Sequence, residues 1–155
     1  MKKSNQFDEK YMREALIEAK RAAEKNEVPI GAVAVIDETV VARAHNIREA
    51  THDPLGHAEL LLLMNVAHQQ QMWRLEDVTL YVTCEPCLMC AGAILQARVP
   101  RLVFGCFDPK AGACGSLYHV LTDQRLNHQV EVIGGVLADE CGLLLTTFFQ
   151  RLRQR

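Results

Sequence analysis

Short apolar runs rich in β-branched residues alternate with longer stretches of helical period along this chain, and that order leaves few ways to bury both. From Asp8, a candidate N-cap, the residues Met12, Ala15, Leu16, Ala19, Ala22 and Ala23 recur at the spacing of one helix face. After Pro29, the run from Ile30 to Ile36 reads as a strand that turns at Asp37-Glu38 and returns through Val40-Val41-Ala42. Asn46 to Gly56 is a polar loop containing Pro54, and it leads into a helix from His57 to about Gln70. Thr79 to Thr83 is a buried strand, with Pro86 in the first turn of a helix that continues to about Ala97. Arg101 to Gly105 is the next strand, a Gly-containing loop covers Asp108 to Gly115, and Val130 to Ile133 is the last strand. A final helix from Asp139 to Leu152 carries the stripe Cys141, Leu144, Leu145, Phe148 and Leu152. This order implies a mixed sheet covered by helices on both faces.

A chain of 155 residues is expected to form one domain over 1–155, and 49% hydrophobic with 23% charged residues is the composition of a soluble globular protein. Met1 to Gln6 is polar, and no apolar run approaches the roughly 20 residues that cross a bilayer. The expectation is a cytoplasmic protein without membrane contact. At a net charge of −2, any nucleic-acid partner must be held by a local basic patch, and the stretch from Cys141 onward, with Arg151, Arg153 and Arg155 and no acidic residue, is the clearest one. Leu60 to Met64 are all apolar, so their helix needs cover on more than one side, as a sheet and a second subunit would supply.

Six cysteines in a chain of this kind point to thiols, with metal binding or catalysis as the first use. Cys87 and Cys90 are three apart at the start of a helix, so their sulfurs lie on one face, and the helix N-terminus favours thiolate. With His57 they supply three imidazole and thiolate ligands, the set of a catalytic zinc site that keeps a fourth position open for water. Glu59, two residues beyond His57, diverges from it, so its carboxylate can take a proton from metal-activated water and pass it to a substrate nitrogen. Cys84 opens an alternative, a closed structural site of three cysteines and His57 with no room for water. It sits at a strand end, across Pro86 from the helix, and the closed site gives Glu59 nothing to do. Cys106, Cys114 and Cys141 lack metal spacing and read as buried thiols. The compound pattern H-x-E followed by P-C-x-x-C is the signature of zinc nucleobase deaminases, and His57-Ala58-Glu59 with Pro86-Cys87-Leu88-Met89-Cys90 matches it completely.

Nearly the whole chain resembles the bacterial tRNA-specific adenosine deaminases. The resemblance runs through Glu27 to Val33, His45-Asn46, Asp53-Pro54, the metal motif, Ala91-Gly92-Ala93, Asp108 to Ala113, Gly115-Ser116-Leu117, Asn127-His128, Gly135-Val136-Leu137 and Glu140-Cys141 to Phe148-Phe149. It departs at Leu55-Gly56, where the family usually has Thr-Ala, and at Cys84, where the family varies. The resemblance implies a cytidine-deaminase-like three-layer α/β/α sandwich around a five-stranded mixed sheet, one Zn2+ per subunit and a homodimer. It further implies hydrolysis of adenosine to inosine at the wobble position of a tRNA anticodon loop, with release of ammonia, and points to an arginine tRNA. Asn46 and the backbone N–H of Ala58 look like base-positioning groups in this family. Asp108, Lys110, Phe149, Arg151 and Arg153 are candidates for holding the flanking nucleotides, because the base must be reached in a splayed loop.

Overall fold

A computed structural model of the protein describes residues 5–154. In chain order the elements are α1 (Gln6–Glu24), β1 (Gly31–Ile36), β2 (Thr39–His45), α2 (Arg48–Thr51), α3 (Ala58–Gln70), β3 (Thr79–Cys84), α4 (Leu88–Gln96), β4 (Arg101–Cys106), a 3-10 turn (Val120–Thr122), β5 (Glu131–Ile133) and α5 (Ala138–Arg153). The five strands form one sheet in the order β2-β1-β3-β4-β5. β1 runs antiparallel to β2 and β3, whereas β3, β4 and β5 are mutually parallel, which makes the sheet mixed.

The two-residue period of the strands sorts their side chains into two cores. Ala32, Ala34, Leu80, Val82, Leu102 and Phe104 pack with Leu62 and Val66 of α3 and Ala91 and Ile94 of α4. Val33, Val35, Tyr81, Val103 and Ile133 pack with Met12, Ala15 and Leu16 of α1 and Cys141 of α5. Helices therefore cover both faces, in the three-layer α/β/α arrangement with a five-stranded mixed sheet that the resemblance implied.

Several boundaries differ from the expectation. Asn5, not Asp8, caps α1: its side chain accepts from the Asp8 N–H while Asp8 accepts from the Asn5 N–H, a reciprocal capping box. Asp8 is thereby placed inside the first turn, where Arg101 and Tyr81 bind it. Pro86 precedes α4 instead of opening it, since Cys87 is the extended N-cap and the Pro86 carbonyl accepts from Ala113 N–H, outside the helix. The 46–56 segment contains the short α2. In α5 only Cys141 and Phe148 are buried, and Leu152 is exposed.

α3 shows why an all-apolar segment needs two covers. Leu62 and Leu63 face the sheet, but Met64 is 57% exposed and, with Leu55, Leu60, Trp73 and Ala97, lines an apolar groove of about 750 Å³. No helix of the described residues is long and apolar enough to cross a membrane.

Candidate active site

His57 is the N-cap of α3 and Cys87 the N-cap of α4, both in extended backbone, and neither side chain caps its own helix. Freed from capping, the two side chains project from neighbouring helix N-termini toward each other. His57 Nδ1 lies 3.6 Å from Cys87 Sγ and 3.4 Å from Cys90 Sγ. Zn–N bonds near 2.0 Å and Zn–S bonds near 2.3 Å at tetrahedral angles place ligand atoms about 3.5 Å apart, so this spacing fits one zinc ion. These three are the only cluster of potential metal ligands among the described residues. Cys84 is outside it: Cys84 stands opposite Cys106 across the β3–β4 ladder and its thiol is hydrogen-bonded there. The closed four-ligand alternative therefore has no support.

Electrostatics agree with a cation site. Hydrogen bonding from Cys90, with further help from His57, holds the Cys87 thiol down to about 4 against the opposing effect of burial. The same contact with Cys87 raises His57 above its ordinary value. Both helix N-termini add their dipoles in the sense that favours thiolate. Glu59, only 4% exposed, adjoins this cluster through a hydrogen bond with the Cys90 thiol, and burial pushes its carboxyl up to about 7. A zinc ion held by its neighbours would lower that value, leaving a group able both to accept and to return a proton near neutrality.

The sequence model of the MafB19-like deaminase family matches residues 6–153. The tRNA-specific adenosine deaminase of Bacillus subtilis (strain 168) is 53% identical over 148 residues, covering 96% of this chain and 92% of that protein. The chain belongs to the tRNA-specific adenosine deaminase family. The family's Haemophilus influenzae (strain ATCC 51907 / DSM 11121 / KW20 / Rd) member is 49% identical over 151 residues, 97% of this chain and 87% of that one. A solved structure from a study of A-to-I editing by tRNA:A34 deaminases at the wobble position of transfer RNA superposes with a TM-score of 0.84 at 40% identity, covering 88% of this chain and 99% of that one. A guanine deaminase from Nitrosomonas europaea shares the fold, with a TM-score of 0.78 at 20% identity.

Around the cluster of this tRNA-specific adenosine deaminase relative, two loops form walls. On one side Asn46 Oδ1 accepts from the Ala58 N–H at 2.9 Å, so these two predicted base-positioning groups bind each other and tie β2 to the start of α3. On the other side, Asp108 Oδ1 accepts from the Lys110 and Ala111 N–H groups, which turns the predicted nucleotide-holding Asp108 inward to cap its own loop. Lys110 is exposed on that loop. Phe149 is 40% exposed, edge-on to Phe148, and Arg151 and Arg153 extend α5 into solvent. None of these α5 residues touches the ligand cluster.

Sequence reasoning passed over two buried glutamates that shape the walls. Glu27 accepts from the Glu49 and Ala50 N–H groups at 3.0 and 2.7 Å and so caps α2 in place of a local residue. Glu85, immediately before Pro86 of the metal motif, binds the 108–116 loop. The only trace in the sequence is an acidic residue beside Cys84 and another beside Val28, and neither shows its burial or its partners. Arg48 was also missed, and it lies near enough to His57 to oppose its protonation.

Proposed function

We propose that this chain, as one deaminase domain over its length, is a zinc-dependent hydrolytic deaminase that converts adenosine to inosine at the wobble position of a tRNA anticodon loop. The observation that carries this reading is the three-ligand cluster with the buried Glu59 beside it, in a chain of this family. An arginine tRNA is the expected substrate and the cytoplasm the expected compartment.

His57 Nδ1, Cys87 and Cys90 would hold the zinc ion, which supplies a water acidified toward pH 7 for attack. Glu59 takes the proton from that water and delivers it to N1 of adenine as oxygen bonds to C6. When the C6–N6 bond breaks, Glu59 takes the proton of the new C6 hydroxyl, which becomes the inosine carbonyl, and hands it to the departing nitrogen, so water is consumed and ammonia released. Asn46, its carbonyl oxygen engaged by Ala58, keeps its amide N–H groups for an acceptor on the purine. Lys110, Phe149 and Arg153 are proposed to meet the flanking nucleotides, and Asp108 to act through the shape of its loop.

An assay offering an anticodon stem-loop, adenosine, cytidine and guanine separately tests this: turnover confined to the stem-loop is expected, and comparable turnover of a free nucleoside or base contradicts it. The groove under Met64 and Trp73 supports a homodimer. Light scattering of Met64→Glu is then expected to show a shift from dimer toward monomer, whereas a wild-type monomer overturns that part.

A further inference from the structure

The mechanism above uses one buried glutamate, Glu59, and leaves Glu85 without a task. Glu85 is 3% exposed and has no ion-pair partner among the described residues. A charge so placed needs compensation, and all of it comes from a single loop. Oε1 accepts from the Asp108 N–H at 3.0 Å and from the Ser116 hydroxyl at 2.5 Å, while Oε2 accepts from the Cys114 N–H at 3.0 Å and the Ser116 N–H at 2.9 Å.

We propose that Glu85 is a positioning residue for the deamination: its carboxylate gathers the converging donors of the 108–116 loop and holds that loop as a preformed wall of the site. Two further contacts tie the loop to the metal motif, and a close approach seats it on Glu85. The Ala113 N–H donates to the Pro86 carbonyl at 2.9 Å, Gly112 bridges to Cys87, and any Cβ on Gly112 would overlap the Glu85 carboxylate. Where Glu85 sets the loop, it therefore also sets what stands against the ligand Cys87. Only an ionised carboxylate satisfies this arrangement, because both oxygens face backbone N–H donors. A glutamine amide would turn its own N–H groups against at least one of them, whichever way it flips. The inference rests on the RNA substrate proposed above.

The test compares zinc-loaded wild type with Glu85→Gln by amide hydrogen exchange and by kcat and KM on an anticodon stem-loop. Glu85→Gln is expected to keep its zinc, to speed exchange at Asp108, Cys114 and Ser116 by about tenfold or more, and to raise KM by about tenfold with a smaller fall in kcat. A role confined to overall stability would instead speed exchange throughout the sheet and lower the active fraction at unchanged KM, and that result overturns the proposal. Should Glu85→Gln fail to fold, Ser116→Ala removes the hydroxyl donor while keeping the carboxylate. It is expected to show the same pattern at about twofold, and unchanged loop exchange and KM contradict the proposal. If wild type leaves the stem-loop unmodified, the substrate reading falls, and loop exchange alone decides whether Glu85 holds the wall.

Discussion

Glu59 and Glu85 flank the same ligand cluster and are almost equally hidden from water, at 4% and 3% exposure, yet their surroundings drive them in opposite directions. Burial dominates at Glu59, where the opposing donors are its own backbone N–H and the Cys90 thiol, and the carboxyl rises to about 7. Burial also works against ionisation at Glu85, but the Ser116 hydroxyl and the backbone N–H groups of Asp108, Ser116 and Cys114 hold it below its ordinary value. Depth and donors act together: Glu59, the more deeply set of the two, has few donors aimed at it and can exchange a proton with substrate, whereas Glu85, nearer the surface, is fully bonded and fixes a loop.

The largest effect that would sharpen this contrast is on activity. Glu59→Gln is expected to lower kcat by about 10² to 10⁴, while zinc content holds and the melting temperature is unchanged or higher, because an amide is cheaper to bury than a carboxylate. A marked drop in melting temperature would place Glu59 with the structural carboxylates and break the comparison.

Asp8 extends the contrast to the far end of the sheet, away from the metal ligands. It is 0% exposed and is bound by both Arg101 terminal nitrogens, at 2.9 and 2.8 Å, and by the Tyr81 hydroxyl at 2.8 Å. Burial works to raise its carboxyl, but these partners, Arg101 foremost, hold it below the ordinary 3.8. With the folded value lowered, the stabilisation is fully present above 3.8 and is lost as pH falls through the lowered value. Asp8→Asn is therefore expected to cost about 3 kcal/mol at neutral pH, leaving Arg101 only its longer 3.7 Å ion pair with Glu131, with the gap to wild type closing in acid. Urea unfolding across pH checks both parts, and a gap that widens in acid would contradict the sign.

The smallest expected effect tests the loop by crowding it. Gly112→Ala places a methyl group on the Glu85 carboxylate and is expected to cost about 2 kcal/mol in urea unfolding. A neutral substitution would show that Glu85 does not hold the loop tightly.

Most of the architecture was legible because helical and strand periods differ so clearly in residues 8–23, 30–36, 79–83 and 101–105. The clustering of His57, Cys87 and Cys90 was legible because a cation site asks for such residues in close register with two helix starts. Glu85 was not, although it lies between Cys84 and Pro86, because its partners are backbone N–H groups of residues 108, 114 and 116, which no side-chain pattern marks. Asp8 misled for a related reason. Asn5 and Asp8 are both capping residue types, and what draws Asp8 inward is Arg101, far along the chain. The short α2 was hidden because its cap is Glu27, supplied from outside the helix.

Mass spectrometry of tRNA after incubation with the zinc-loaded protein and with Glu59→Gln decides whether this chain is a zinc deaminase acting on the wobble adenosine of a tRNA. Inosine at the wobble position with the wild type, and unchanged adenosine with Glu59→Gln, is the predicted result. Unmodified wobble adenosine after incubation with fully zinc-loaded wild type, or equal conversion by both proteins, would contradict it.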